Sequence, residues 1–427
     1  MRPTLFIPQA FKNFHGFFVK DIKEWKSEQR LEIHLEREHD KEQFCCRCGS
    51  ELGNYHDQYK LRVKHLKMMG WKVELIFFRE KRKCGTCNKV RAEHIEWLSE
   101  TSPHVSMDLA WWLNRLTEIT SVLAVSRLEN LDKRSCYKVD KYILRRLLQG
   151  YKIPKVTKIS VDEVYARGPK QLKKGETRDD LFLTIIIDVN TRKVIWVSHS
   201  RRKEALDEFF KIIGKKACDE MKIVATDQHE GYGASIREHC PNAKQVWDRF
   251  HLVQRFNEAL NEDRKDELDR SMPKGYSENY LKGKFRFIYL TKASERSNSQ
   301  QRHIDDISKD NLKIAKMEII KEHFHRMFDC DDPEEARIML SEIYQWSMDC
   351  GAQNIFKWVK KIREKETFWN YFGNKVTTSV SEGMNRVIKG LKWQAYGYKD
   401  MAYFALKILQ KCGYLNSNFH NCELPVI

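Results

Sequence analysis

Long apolar runs are missing from this 427-residue chain. The longest, such as residues 181–187, are interrupted by polar side chains and fall well short of the roughly 18 residues a membrane span needs. The first 20 residues carry Lys12 and lack a continuous apolar segment followed by a small-residue cleavage site, so no secretory signal is read there. No internal repeat or low-complexity tract occurs, which excludes fibrous and solenoid architectures. Acidic residues are in deficit, 60 Asp+Glu against 77 Lys+Arg, a formal charge of +17. That balance points to a polyanionic partner. With 41% hydrophobic residues the chain can bury real cores, and its length allows about two to four domains. The expected location is the cytoplasm, in association with the nucleoid, with no membrane contact.

Cysteines are not spread as in a disulfide scaffold. Of 12, five fall between Cys45 and Cys87, a pattern that suggests a metal in a reducing compartment. Cys45-Cys46-Arg47-Cys48 and Cys84-Gly85-Thr86-Cys87 form two C-x-x-C knuckles, each able to turn two thiolates toward one tetrahedral Zn²⁺. The 35 residues between them (49–83) exceed the common spacing of about 15–20 but leave room for strands. Cys45, Cys48, Cys84 and Cys87 are the expected zinc ligands, with Cys46 a spare that could compete with Cys45. A zinc ribbon of this kind is structural, holding a basic β-surface toward phosphates.

Leu31, Ile33 and Leu35 alternate with Glu32, His34 and Glu36, the period of a half-buried strand. From Val105 to Leu148 no Pro or Gly interrupts a helical pattern. Within it, two helices flank the polar turn from Asn130 to Arg134, an arrangement shared by helix-turn-helix modules and plain helical hairpins; Lys133, Arg134, Lys138 and Lys141 favour DNA. Strands are then expected at 158–162, 181–188 and 193–197, with a turn at 189–192. A helix at 203–214, a strand at 222–227, a short helix at 232–239 and a strand at 243–247 follow. Strands first and then alternation of helix and strand describe an α/β core with a mixed sheet. From His251 to about Asn374 the chain turns helical, charged and aromatic, an insertion carrying Trp346, Trp358 and Trp369, which are more simply core residues than ligand contacts.

Carboxylates occupy positions that chemistry could use. Asp162 lies on the first core strand and Asp227 closes the strand from Lys222; two adjacent strands can bring such groups to a shared divalent cation, although a lone strand-end Asp is commonly a turn or cap residue. Asp188 is read as a hairpin-turn residue. In the segment 380–391, Val380, Met384, Val387 and Leu391 form an apolar helical stripe, and Glu382, Asn385, Arg386 and Lys389 share the other face, which in isolation is most simply a solvated one. Asp248, Arg249 and His251 form a polar cluster after a strand, expected in a supporting role beside the site, with a helix-capping Asp and a core His as the plainer reading.

Four separated motifs carry a resemblance. Asp162-Glu163 with Gly168 and residues 181–188, Asp227-Gln-His-Glu-Gly-Tyr232, Pro241-Asn-Ala243 with Asp248-Arg-Phe-His251, and Glu382-Gly-Met-Asn385-Arg-Val-Ile-Lys389 with Ala395-Tyr-Gly-Tyr398 together resemble the catalytic domain of the ISL-three class of insertion-sequence transposases. The paired cysteine knuckles and the helix-turn-helix stretch are similar to the amino-terminal half of the same family, so the likeness covers nearly the whole chain. It implies an RNase H-like core with catalytic Asp162, Asp227 and Glu382, interrupted before the Glu by an all-helical insertion. Two features depart from the family pattern: Cys46 replaces the usual Pro after the first cysteine, and Trp393 stands where Arg tends to follow Lys392. An aromatic at Trp393 could stack on an unpaired base.

The expected organisation is a β-rich zinc-ribbon domain at 1–100, a helix-turn-helix domain at 101–152, a multidomain α/β arrangement whose RNase H-like core runs over 153–251 and 379–427, and an all-helical insertion at 252–378. The expected function is DNA transposition. The chain would bind terminal inverted repeats and target DNA as a homodimer, and would cut and join strands with Mg²⁺ (or Mn²⁺) held by Asp162, Asp227 and Glu382. Rival readings are a catalytically silent sequence-specific DNA-binding protein, against which three intact carboxylates argue, and a stand-alone structure-selective nuclease.

Overall fold

The computed structural model describes residues 14–38, 41–271, 284–374 and 379–415. The chain divides into two compact units, one of residues up to Lys152 together with those from Gly390 onward, the other of Ile153–Lys389.

The first unit begins with β1 (Phe17–Trp25), β2 (Arg30–Arg37), β3 (Leu52–Met68), β4 (Trp71–Cys84) and β5 (Lys89–Ala92). Their order is β1-β2-β4-β3, with β5 paired to β4. Every pair is antiparallel except β2 with β4. Alternation sorts the faces. Ile33, Leu35, Leu61, Val63, Val73, Leu75 and Phe77 point into a core closed by Phe17 and Trp97, whose rings meet Phe77 edge to face at 5.2 and 5.1 Å. On the opposite face Arg30 and Arg62 interleave with Glu32 and Glu74 in an ionic cluster. Helices α1 (Met107–Ile119), α2 (Val122–Leu128) and α3 (Lys133–Gln149) follow, each started by a side-chain cap from Ser106, Ser121 or Asp132. They enclose Leu109, Leu113, Val125, Cys136, Val139 and Ile143.

In the second unit β6 (Lys158–Tyr165), β7 (Phe182–Asp188) and β8 (Val194–His199) form an antiparallel meander. Asp188 serves the hairpin turn as expected, accepting from the Asn190 amide at 3.0 Å and the Thr191 hydroxyl at 2.6 Å. After α4 (Lys203–Asp219), β9 (Ile223–Thr226) joins β6 in parallel, and after α5 (Glu230–His239), β10 (Lys244–Trp247) joins β9 in parallel, giving the order β10-β9-β6-β7-β8. The helix expected to stop at Gly214 continues to Asp219: Gly214 takes φ 78°, open to glycine, and kinks the helix instead of ending it.

The insertion comprises α6 (Arg249–Ser271), α7 (Lys284–Leu290), α8 (Asn298–Asp310), α9 (Leu312–Met327), α10 (Pro333–Asp349), α11 (Gln353–Ile362) and α12 (Glu366–Gly373). Its core centres on Phe256, Phe324, Phe328 and Phe368 and is continuous with Ile223, Ala225 and Val246 of the sheet. Trp358 and Trp369 pack against that core, in keeping with the plainer reading of those two aromatics, whereas Trp346 is exposed. The Asn370 side-chain amide also donates to the Gln245 carbonyl of β10 at 3.0 Å.

Helix α13 (Ser379–Gln394) and helix α14 (Met401–Cys412) complete the chain. The apolar stripe expected on α13 is displaced. Val387 is 45% exposed, whereas Ser381, Ile388 and Leu391 are buried; a buried serine does not register as apolar, so the sequence stripe misses the face by one position. Val380 lies outside the residues whose side chains are described. Helix α14, expected to close the α/β core, packs on α1 and α3. The reason is a buried polar network: Asp140 accepts from Asn114 Nδ2 at 2.8 Å, Thr117 Oγ1 at 2.6 Å and the Tyr403 hydroxyl, and lies 3.4 Å from Lys407 Nζ. Lys407 also donates to the Thr117 carbonyl at 2.8 Å and Gln410 to that of Asn114 at 3.1 Å. Such groups are stable in a core only when mutually satisfied.

Candidate active site and metal centre

Strand β6 presents Ser160 and Asp162 on one face, two residues apart and so about 7 Å along the strand. Helix α13 presents Ser381 and Asn385, four apart and about 6 Å along its axis. The two spacings match. Ser160 and Ser381 share a buried hydroxyl hydrogen bond at 2.8 Å, and Asn385 Nδ2 donates to Asp162 Oδ2 at 2.7 Å. Sequence reasoning did not single out the serine pair; its one signal is the i, i+2 and i, i+4 spacing from Asp162 and Asn385.

The expected supporting cluster is brought together in part. His251 Nε2 stands 4.0 Å from Asp162 Oδ1 and 3.9 Å from Asp248 Oδ2. Asp248 also caps α6, accepting from the Phe250 amide at 2.8 Å, so the capping and neighbouring roles coexist. Arg249 does not join them. It lies 3.6 Å from Asp329 and over the Phe328 ring, because the start of α6 turns it toward the insertion.

Glu382 lies one turn before Asn385 and pairs with Arg386 at 2.6 Å; Arg386 and Lys389 are exposed. Asp227 follows β9 directly. The parallel register Ser160↔Ala225 places Asp162 and Asp227 at equivalent positions two residues further along neighbouring strands. Asp227 Oδ1 accepts from the His229 amide at 3.0 Å, a local turn bond.

Burial pushes the Asp162 carboxyl up to about 6, with Asp248 adding to the rise and the Glu163 amide, His251 and Asn385 opposing it. Burial and the nearby Asp227 push Glu163 up to about 7. A cluster of desolvated carboxyls is poised to accept positive charge. Asn385 Oδ1 beside Asp162 is buried and has no hydrogen-bond partner among the described residues. An oxygen-rich donor set of this type fits Mg²⁺ or Mn²⁺. The three predicted carboxylates do not themselves converge within 4.8 Å; among the described residues the His/Cys/Asp/Glu sets that do are the four knuckle cysteines and Asp207, Glu238 and His239. The second set is tied up by Lys203, which bonds Asp207 and Glu238 at 2.7 Å each.

Cys45, Cys48, Cys84 and Cys87 meet where the turn before β3 faces the end of β4, with Sγ separations of 4.0 Å for Cys45–Cys87 and 3.5 Å for Cys48–Cys84. Zn–S bonds of about 2.3 Å in a tetrahedron require sulfurs about 3.8 Å apart, so the cluster fits zinc. Backbone amides of Arg47 and Cys87 point at Cys45 and Cys84 Sγ, at 3.5 and 3.3 Å. Cys46 is exposed and outside the set, so Cys45 is the member of that pair that joins the cluster. Hydrogen bonds from Ser50 bring the Cys48 thiol down to about 6, whereas contact with Cys48 and burial push Cys87 up to about 12: crowded sulfurs cannot all ionise without a cation among them.

In the helical part of the first unit Lys133, Arg134 and Lys138 are exposed. Lys141 is not available in the same way, since it pairs with Asp400. No helix among the described residues is long and apolar enough to cross a membrane.

Comparison with known proteins bears on this geometry. The pattern of a transposase family, the ISL3 class, matches residues 159–408, a span containing Asp162, Asp227 and Glu382. The chain is 25% identical over 404 residues to the transposase for insertion sequence element IS1001 of Bordetella parapertussis, covering 94% of this chain and 96% of that one. It is 22% identical over 260 residues to the transposase for insertion sequence element IS1557 of two Mycobacterium tuberculosis strains, covering 56% of this chain and 58% of theirs.

Proposed function

Since the chain belongs to the ISL3 family of transposases, we propose that it binds the terminal inverted repeats of its own element and cuts and joins DNA strands at Asp162, Asp227 and Glu382. The observation that carries this reading is the double link of α13 to β6, through Ser160–Ser381 and Asp162–Asn385. It fixes the helix bearing Glu382 beside the strand bearing Asp162. The sheet order, with an antiparallel meander continued by two parallel strands, supports an RNase H-like core over 153–251 completed by the part of α13 up to Lys389, with the insertion at 252–378 between them.

Divalent Mg²⁺ or Mn²⁺, when bound, supplies activation of water or a 3′-hydroxyl and stabilisation of the leaving oxygen in an in-line displacement. Asp162, Asp227 and Glu382 are the oxygen donors that would hold it, and Asn385 fixes the rotamer of Asp162. His251 offsets the charge of Asp162 and Asp248. Arg386 and Lys389 extend from the exposed side of α13, where phosphates can be met.

The four-cysteine cluster, with zinc, would hold the long β3–β4 ribbon and its Lys60, Lys67, Lys72 and Lys83 in the five-stranded sheet, the ribbon domain of 1–100. The capped helices α2 and α3, over 101–152, serve as a helix-turn-helix with Lys133, Arg134 and Lys138 on the DNA. Coordinated joining needs two ends at once, which a homodimer on DNA supplies. The test is a labelled duplex carrying the repeats that flank the gene, incubated with Mg²⁺. Nicking at the repeat boundary that disappears with Glu382→Gln is expected; end-specific binding without cleavage in either Mg²⁺ or Mn²⁺ would favour the silent DNA-binding protein instead.

A further inference from the structure

Helix α13 ends in a way that neither packing nor backbone economy accounts for. The Gly397 amide returns to the Lys392 carbonyl at 2.8 Å, a six-to-one closure that places Tyr396 at the position where helices ordinarily use Gly or Asn, because the backbone there is left-handed. Tyr396 adopts φ 54°, a conformation unfavourable for a bulky residue. Its ring is nevertheless 94% exposed, and Trp393 on the last turn is 82% exposed. Neither ring has an aromatic or cationic neighbour among the described residues. Two large apolar rings left in water on one short segment mark a contact surface.

Tyr396 borders a cleft of ≈ 570 Å³ walled by the start of α2, the start of α3 and residues 394–400, within the roughly 300–1,000 Å³ range of small-molecule pockets. Its acidic residues are already engaged: Asp132 caps α3 by accepting from the Ser135 amide at 2.9 Å, and Asp400 accepts from Tyr137 at 2.5 Å and pairs with Lys141. Lys133, Arg134 and Lys399, also on its walls, have no ion pair among the described residues. The cleft thus combines uncompensated positive charge with an unpartnered aromatic face. A phosphate joined to an aromatic base satisfies both.

We propose that this cleft holds one unpaired nucleotide of the transposon end, its base stacked on Tyr396 and supported by Trp393, its phosphate met by Lys133, Arg134 and Lys399. The proposal rests on the end-binding reading above and adds a local opening of the duplex to it. Extracting a base costs unpairing and unstacking energy that a mispaired end has already spent, so the cleft should make the protein prefer such ends.

The test measures binding, by fluorescence anisotropy in Ca²⁺, to three duplexes: the flanking terminal repeat fully paired, the same repeat with its outermost base pairs mispaired, and an unrelated sequence. The wild type is expected to bind the mispaired end at least about 5-fold more tightly than the paired one, the lower end of the equilibrium value of a base–aromatic stack. Tyr396→Phe keeps that preference. Tyr396→Gly and Trp393→Ala lose it while still binding the paired repeat, and Tyr396→Gly melts no lower than the wild type because glycine suits the left-handed backbone. Equal wild-type affinity for paired and mispaired repeats, or a preference that survives Tyr396→Gly, overturns the nucleotide cleft alone. Equal affinity for the repeat and the unrelated duplex overturns the end-binding reading on which it rests.

Discussion

Asn385 holds Asp162 from a helix more than two hundred residues away in the chain, and its own carbonyl oxygen is left buried beside the carboxylate. Asn385→Ala therefore frees the Asp162 rotamer without touching charge. Single-turnover nicking of the repeat is expected to fall roughly 10- to 100-fold, the usual effect of losing a partner that orients a metal-binding side chain, with repeat binding unchanged. His325 gives a second prediction at this scale. Burial, reinforced by Lys321, Lys292 and Arg249 against the opposing pull of Glu322, holds its folded value down to about 4 from an ordinary 6.5. Between those values the unfolded chain binds the proton and the folded one does not, so stability is full above about 6.5 and is lost as the pH falls toward 4. Melting temperature plotted against pH should fall more steeply in that window for the wild type than for His325→Gln.

Among the elements, the cysteine knuckles precede β3 and end β4 and so meet at the open end of that ribbon, where a cation held between them would close it as a clip. Cys84→Ser, or stripping zinc with a strong chelator, should lower the first unit's melting temperature and abolish stoichiometric zinc by elemental analysis; Cys46→Ser should do neither. The knuckles and the core strands were legible in sequence because their signals are local: a fixed cysteine spacing, an alternation, a run such as 181–188. Helix α13 was half legible. Its existence and its polar residues could be read, but its buried face turned on Ser381, whose place is set by a hydroxyl of Ser160 on a distant strand. Gly214 looked like a terminator and acts as a kink, since glycine can serve either purpose and the next turn decides. Arg249 looked like part of the Asp248 cluster because adjacency in sequence says nothing about which way the first turn of a helix points.

At the scale of the molecule, the first unit is assembled from both ends of the chain. Asp140 on α3 and Lys407 on α14 are both buried and bound to one another through a network that also takes in Asn114, Thr117 and Tyr403. Lys407→Met leaves the Asp140 charge without its cation and should destabilise that unit by roughly 3–5 kcal/mol, read as an earlier melting transition, while the α/β unit melts as before. The residues of α14 are buried on nearly all sides, which announces deep packing but names no partner; only the fold shows that the partner lies in the helices before residue 150.

This closure has a consequence for how the protein is made. Helix α3 ends at Gln149 and α14 begins at Met401, so the 251 residues 150–400 must leave the ribosome between the two halves of one core. At about 5–20 residues per second that is a wait of roughly 13 to 50 s. During it α1 and α3 present Asn114, Thr117 and Asp140 to water instead of to Tyr403 and Lys407. Nascent or prematurely ended chains therefore carry a first unit whose helical core is unfinished, and the Tyr403 and Lys407 partners of Asp140 arrive only with α14.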